Sequence, residues 1–395
     1  MLIVLVAISS ATCSRENNEG TEQPQATGEH RSIHQVHLSH FDSLGIRAEE
    51  EWDSLHGIVR KGRDPVRRNP EFRVFGWHPY YMGSSYRDYN YGILWGISYF
   101  CYRVNPATGS YSDIYDWRTT PMVDLARAAG TRVFLTAANF GTHNNTTFLN
   151  SKQARQRFID SIRVLLDARS ADGVTIDFED VPESHRDAFA AFIQHLSDSL
   201  RRHNPEFLIT MTLPGIIKDR AFDIPALSPN VDLFMIMGYD YHYSGSPQAG
   251  PVSPLANGQA GDGNNLETSV NAYLDEGLPK EKLMLSLPYY GRKWKTRNTS
   301  IPSANVQSLG TRLYRSIRDD VNTAAATVEP GSSTKYTISD TLEGTAQLWF
   351  DDGETLGTKY DWVKKKGLAG IGIWALGYDN GHTELWEVLE EKFGQ

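Results

Sequence analysis

From Glu71 onward, short apolar runs alternate with polar loops and amphipathic stretches. Phe72–Trp77, Ile93–Phe100, Arg132–Ala137, Gly173–Phe178, Leu208–Thr212, Leu233–Gly238, Leu283–Leu287 and Gly370–Trp374 read as strands. Met122–Ala129, Lys152–Ala168, Glu183–His203, Glu267–Glu276 and Leu356–Lys366 carry apolar residues at helical spacing. Strands alternating with helices predict parallel βαβ units. Eight of them predict an α/β fold, a (β/α)8 TIM barrel, better than an open doubly wound sheet. The first strand ends in Phe75-Gly76-Trp77-His78-Pro79, not in a glycine-rich phosphate loop. One interval breaks the rhythm. Residues 292–346, between the seventh and eighth strands, are rich in Ser, Thr, Asn and Ala and predict a small α+β insertion, with a helix near Arg312–Val321 and strands near Lys335–Ile338 and, at its end, Gln347–Phe350.

The fourth strand carries the chemistry. In Gly173-Val174-Thr175-Ile176-Asp177-Phe178-Glu179, Val174, Ile176 and Phe178 alternate with Thr175, Asp177 and Glu179. Alternate side chains of a strand face opposite ways, about 6.6 Å apart on each face. The apolar face suits the surrounding helices and the polar face the barrel interior. Glu179 comes last, at the carboxyl end, where barrel enzymes hold their reacting groups.

The chain before the barrel divides into two parts. Residues 1–30 read as an export signal followed by a flexible tether: an apolar start, then Ser10-Ala11-Thr12-Cys13, a loose match to the box in which bacterial lipoproteins are acylated on Cys13. Residues 31–70 read as a helical extension, from about Ser32 to Arg60, and a basic linker, Lys61 to Arg68. His30, His34, His37 and His40 fall at near-helical spacing there. A metal site is one reading of them; a solvated, weakly structured His-rich segment is the favoured one. The barrel is assigned to 71–291 and 347–395.

Composition narrows the partners. A net charge of −9 with scattered Lys and Arg argues against nucleic acid. Two cysteines, Cys13 and Cys101, support neither a disulfide framework nor a zinc ribbon, and Cys101 reads as a small core residue.

The motifs together resemble family 18 of the glycoside hydrolases, the chitinase family. Asp172–Glu179 is similar to its D-G-x-D-x-D-x-E signature. Met237-Gly238-Tyr239-Asp240 resembles its M-x-Y-D at the end of strand six. Gly277–Leu283, Leu287–Arg292, Phe350–Asp352 and Lys366–Gly377 follow in the family's order. Two departures stand out. The signature's middle Asp is Thr175, and the usual Ser-x-Gly-Gly of strand three is Leu135-Thr136-Ala137-Ala138-Asn139.

The resemblance implies a chitinase-like enzyme that uses no cofactor or metal and cleaves N-acetylglucosamine polymers by a retaining, substrate-assisted route. It makes Glu179 the general acid and then base. It sets Asp177 and Tyr239 around the acetamido group, Asp240 on a sugar hydroxyl or beside the acid, and Trp374 under the −1 sugar. Trp77, Tyr241 and Thr175 join the substrate-binding set, with the Thr175 hydroxyl expected to donate to Asp177. Two alternatives stay open: an endo-β-N-acetylglucosaminidase acting on glycoprotein glycans or peptidoglycan, and a non-catalytic chitolectin. The expected form is an exported monomer, secreted or held to a membrane through Cys13.

Overall fold

The computed structural model describes residues 31–56, 66–218, 220–342 and 344–395. Residues 1–30, read from the sequence as an export signal and tether with Cys13 and His30, and most of the 61–68 linker lie outside the described residues.

The eight barrel strands are β1 (Arg73–Pro79), β2 (Gly96–Val104), β3 (Arg132–Phe140), β4 (Gly173–Glu179), β5 (Leu208–Pro214), β6 (Leu233–Met237), β7 (Leu283–Pro288) and β8 (Gly370–Trp374). Each pairs in parallel with the next, and β1 pairs with both β2 and β8, so the sheet closes. This is the predicted (β/α)8 barrel. Several strands run two or three residues past the predicted ends at their carboxyl tips, where polar residues such as Asn139 and Glu179 obscure the apolar pattern. The helices expected on the outside are present, at Pro121–Ala128, Lys152–Arg169, Arg186–His203, Leu266–Asp275 and Gly353–Lys366.

The outer face of β4 shows how the core is built. Phe178 packs against Phe148, Phe158 and Phe192 of the covering helices. Gly173 opens the strand because a Cβ there would lie 2.0 Å from the carbonyl oxygen of Leu208 on β5. Cys101 is buried in β2, as a core residue should be.

The insertion is a mainly antiparallel sheet wider than 292–346. Its strands Tyr290–Thr296, Ser303–Leu313, Thr327–Glu329, Thr334–Thr341 and Gly344–Phe350 take in residues on both sides of those limits. The short strand Gln248–Ala249, from the loop after β6, joins its edge. Lys359 on the last long barrel helix and Asp351 form a fully buried ion pair at the sheet's foot.

The N-terminal extension departs from expectation. The predicted single helical stretch is two helices, α1 (Ile33–Ser43) and α2 (Glu49–His56), broken at Gly45, whose φ of 74° suits glycine. Instead of a solvated, weakly structured segment, α1 lies in the barrel mouth with His34 and His37 buried. The reason is its face: Ile33, His34, His37, Leu38 and Phe41 recur at helical spacing and pack inward together.

Candidate active site

The inward face of β4 rises in three steps. Thr175 is lowest and belongs to a layer of hydroxyls. Its Oγ1 accepts from Thr210 at 2.8 Å and lies 3.1 Å from Ser98 Oγ, which meets Thr136 at 2.6 Å. Asp177 stands above, and its Oδ1 accepts from Thr212 Oγ1 at 2.7 Å. Thr212, not Thr175, therefore serves Asp177. The pleat separates positions 175 and 177 by a full two-residue step, whereas Thr212 reaches across from β5.

Glu179 is the top step. Burial and the nearby Asp177 raise its pKa to about 7, against a downward pull from His34 and Ser32. A carboxyl group that is half protonated near neutrality can give and take a proton.

The remaining predicted groups come from other strand ends. Tyr239 and Asp240 follow β6, and Trp374 ends β8. Asp240 has a φ of 59°, and its Oδ1 accepts from Tyr290 at 2.7 Å and from Arg292 at 3.2 Å. Those partners, at the start of the insertion, fix the carboxylate so that Oδ2 faces the cleft. Trp374 lies beside Phe100 and Trp77.

Two predicted binding residues are not brought to the carboxylates. Trp77 is buried between Phe75 and Trp374. Tyr241 turns to the helix Leu266–Asp275, where its hydroxyl pairs with Ser269 at 2.6 Å. Both act as packing groups in this arrangement.

The unexpected member is His34. Its Nδ1 lies 2.8 Å from Asp177 Oδ2 and 3.0 Å from Glu179 Oε1, and its Nε2 lies 2.8 Å from the Tyr239 hydroxyl. Its ring covers Trp374, with centroids 3.7 Å apart and planes 34° apart. Burial alone would favour the neutral imidazole, but the two carboxylates overcome it and raise the pKa to about 10. The ring is thus a cation with both N–H groups donating. A ring nitrogen of His34 and one carboxylate oxygen each of Asp177 and Glu179 lie within 4.8 Å of one another. The Nδ1 distance to Asp177 is that of a charge-assisted hydrogen bond. The other histidines do not join the group: His37 pairs with Tyr378 at 2.5 Å, and His40 stacks edge-on against Phe41.

Thr212, Tyr290, Arg292 and His34 were not legible as site residues. For His34 a signal existed: it shares a face with Ile33 and Phe41, and a helix face that is partly apolar has to be covered by something.

Comparison with known proteins bears on the family and the fold. The family Glycosyl hydrolases family 18 matches residues 107–379. YdhD of Bacillus subtilis, named as a sporulation-specific glycosylase, is 26% identical over 319 residues, 79% of this chain and 70% of that protein. Mouse chitotriosidase-1 is 26% identical over 263 residues, 61% of this chain and 56% of the relative. A chitinase mutant from Cycas revoluta, solved with (GlcNAc)4, superposes with a TM-score of 0.71 at 19% identity, covering 81% of this chain and 99% of that one. YKL-39, solved with chitooligosaccharides, gives 0.74 at 16% identity, covering 82% and 100%. At these identities the structures speak for the fold. The chain belongs to family 18 of the glycosyl hydrolases.

Proposed function

We propose that this chain hydrolyses β-1,4-linked N-acetylglucosamine polymers, chitin or a related glycan, with retention and with the substrate's own acetamido group as nucleophile. The observation that carries the reading is Glu179 itself: a buried carboxyl, raised to about 7, beside a second carboxylate two residues back on the same strand.

The steps follow from the positions. Glu179 gives its proton to the glycosidic oxygen as that bond breaks. The acetamido oxygen of the −1 sugar bonds to the anomeric carbon, forming an oxazolinium ion. Asp177 accepts the acetamido N–H and offsets the positive charge. The Tyr239 hydroxyl donates to the acetamido oxygen and holds it in line. Trp374 supports the apolar face of the ring. Glu179, now ionised, removes a proton from water, which attacks the anomeric carbon and restores the acetamido group.

Chito-oligomers of defined length are the test. Product formation that falls by 10²–10⁴-fold in Glu179→Gln supports the reading, because an amide keeps the shape and gives no proton. Binding of the oligomers with no products in either protein would replace it with a chitolectin. Equal cutting of cello-oligomers would exclude substrate assistance.

We propose in addition that the chain is exported and acylated on Cys13. The support is the apolar start and the small residues before Cys13. The intact mass of the native protein decides it: an unlipidated chain beginning at Met1 would refute both parts.

A further inference from the structure

We propose that α1 is an inhibitor built into the chain: it occupies the catalytic cleft, with His34 seated in the place of the −1 sugar. The inference rests on the glycosidase reading for what α1 excludes, and on geometry alone for where it binds.

Each group assigned a role toward the sugar is engaged by α1. Asp177, set to accept an acetamido N–H, accepts the Nδ1–H of His34. The Tyr239 hydroxyl, set to donate to the acetamido oxygen, is occupied instead by accepting the Nε2–H. Trp374, the floor for a ring, carries the imidazole ring. Asp240, with one oxygen turned to the cleft, accepts the backbone N–H of Ile33 at 3.1 Å. Glu179 lies at 3.0 Å from the same ring, within reach of a positive charge such as the oxazolinium bears. A planar cation between two carboxylates, over an indole, reproduces the charge and outline of the reaction's intermediate.

The rest of α1 is fitted to the mouth. Gln35 Nε2 donates to Asp180 Oδ2 at 3.2 Å, and His37 meets Tyr378. Phe41 stacks on Tyr81, centroids 4.1 Å apart and planes 18° apart. Asp42 takes ion pairs from Arg103 and Arg47 at the rim. Beyond the turn, α2 anchors the segment. Trp52 is fully buried, and Asp53 accepts the backbone N–H of Ser84 at 2.8 Å.

Alongside α1 lie a cavity of about 140 Å³, reaching from Glu179 to Ile216, and another of about 240 Å³, between Arg31 and Asn144. Both fall below the roughly 300–1,000 Å³ of ordinary ligand pockets. A separate cavity of about 830 Å³, lined by Tyr111 and Lys152, contains none of the catalytic groups. An oligosaccharide cannot hold its −1 sugar on Trp374 while His34 is there. The two are mutually exclusive.

The test uses the full chain. Chitotetraose hydrolysis is compared in the parent, in His34→Ala and in Phe41→Asp, which loosens α1 from Tyr81 without touching a catalytic group. Both variants should raise kcat/KM at least tenfold. In parallel, amide exchange over 36–43 is followed in Glu179→Gln with and without chitotetraose. Those amides should be protected alone and lose protection as the oligomer binds. An active parent that neither variant improves overturns the inhibition. Amides that exchange as freely as an isolated peptide's overturn the docked helix, whatever the activity. Should no protein cut or bind chito-oligomers, the glycosidase reading fails separately. Exchange then decides the docking alone: faster exchange in His34→Ala than in the parent supports it, and equal rates overturn it.

Discussion

At the residue scale, two protons control the site, one on Glu179 and one on His34. His34 holds the Glu179 pKa down from where burial and Asp177 would put it. Removing the imidazole should therefore move the alkaline limb of the kcat/KM profile of His34→Ala upward from near pH 7. An unmoved limb would show that His34 is not beside the acid in solution. The docking of α1 has its own pH dependence. The carboxylates of Asp177 and Glu179 raise the His34 pKa from 6.5 to about 10 against the effect of burial, so its contribution to docking is complete below pH 6.5 and fades as pH climbs toward 10. Glu179 acts in the lower window. His34 holds its pKa down in the docked form, so its ionisation near pH 7 favours docking as pH rises. The other groups near the imidazole are Asp177 on β4, Tyr239 in the loop after β6 and His37 on α1 itself, while Asp240, backed by Arg292, holds the Ile33 N–H. After correction for intrinsic rates, α1 amides should exchange faster at pH 9.5 than at pH 7. Thr212→Val tests the support of Asp177. Losing a hydrogen bond to a charged group is worth about 1.5–3 kcal/mol, so kcat should drop about ten- to a hundredfold, and an unchanged kcat would remove Thr212 from the mechanism. Glu179, Asp177, Tyr239 and Trp374 were legible because strand alternation and strand ends fix where side chains point. Thr212, Tyr290 and Arg292 were not: each looks like any strand residue until its neighbour across the sheet is known.

At the scale of elements, the extension and the insertion do different work. The rhythm of apolar residues announced a helix around Phe41 and Trp52, yet it carries no information about what that face covers. A face turned to a cleft and a face turned to a core have the same period. The insertion was visible only as a break in the βα rhythm. Its outline was too narrow, because Tyr290 and Phe350 read equally well as barrel residues. Its foot provides a stability test. Lys359 and Asp351 are buried as a pair. Lys359→Met leaves the Asp351 carboxylate unpaired and should cost about 3–5 kcal/mol, read from the denaturant midpoint. A loss under about 1 kcal/mol would mean that water reaches the pair.

At the scale of the whole molecule, the barrel was the most legible feature, since eight repeats of one pattern reinforce each other and closure leaves few alternatives. What the pattern could not foretell is that the chain doubles back over its own mouth. A tethered occupant obeys different arithmetic from a dissolved one. Dilution and dialysis leave it in place, because its local concentration is set by chain geometry. If the open form is a fraction f of the molecules, substrate binding is weakened by 1/f while turnover of saturated enzyme is untouched. Every tenfold rise in apparent KM then reports about 1.4 kcal/mol of preference for the closed form. A protein of this kind looks sluggish in dilute oligosaccharide and ordinary on a dense polymer surface, where local sugar concentration is high. The position of one imidazole ring would make the enzyme a gauge of how much glycan lies within its reach.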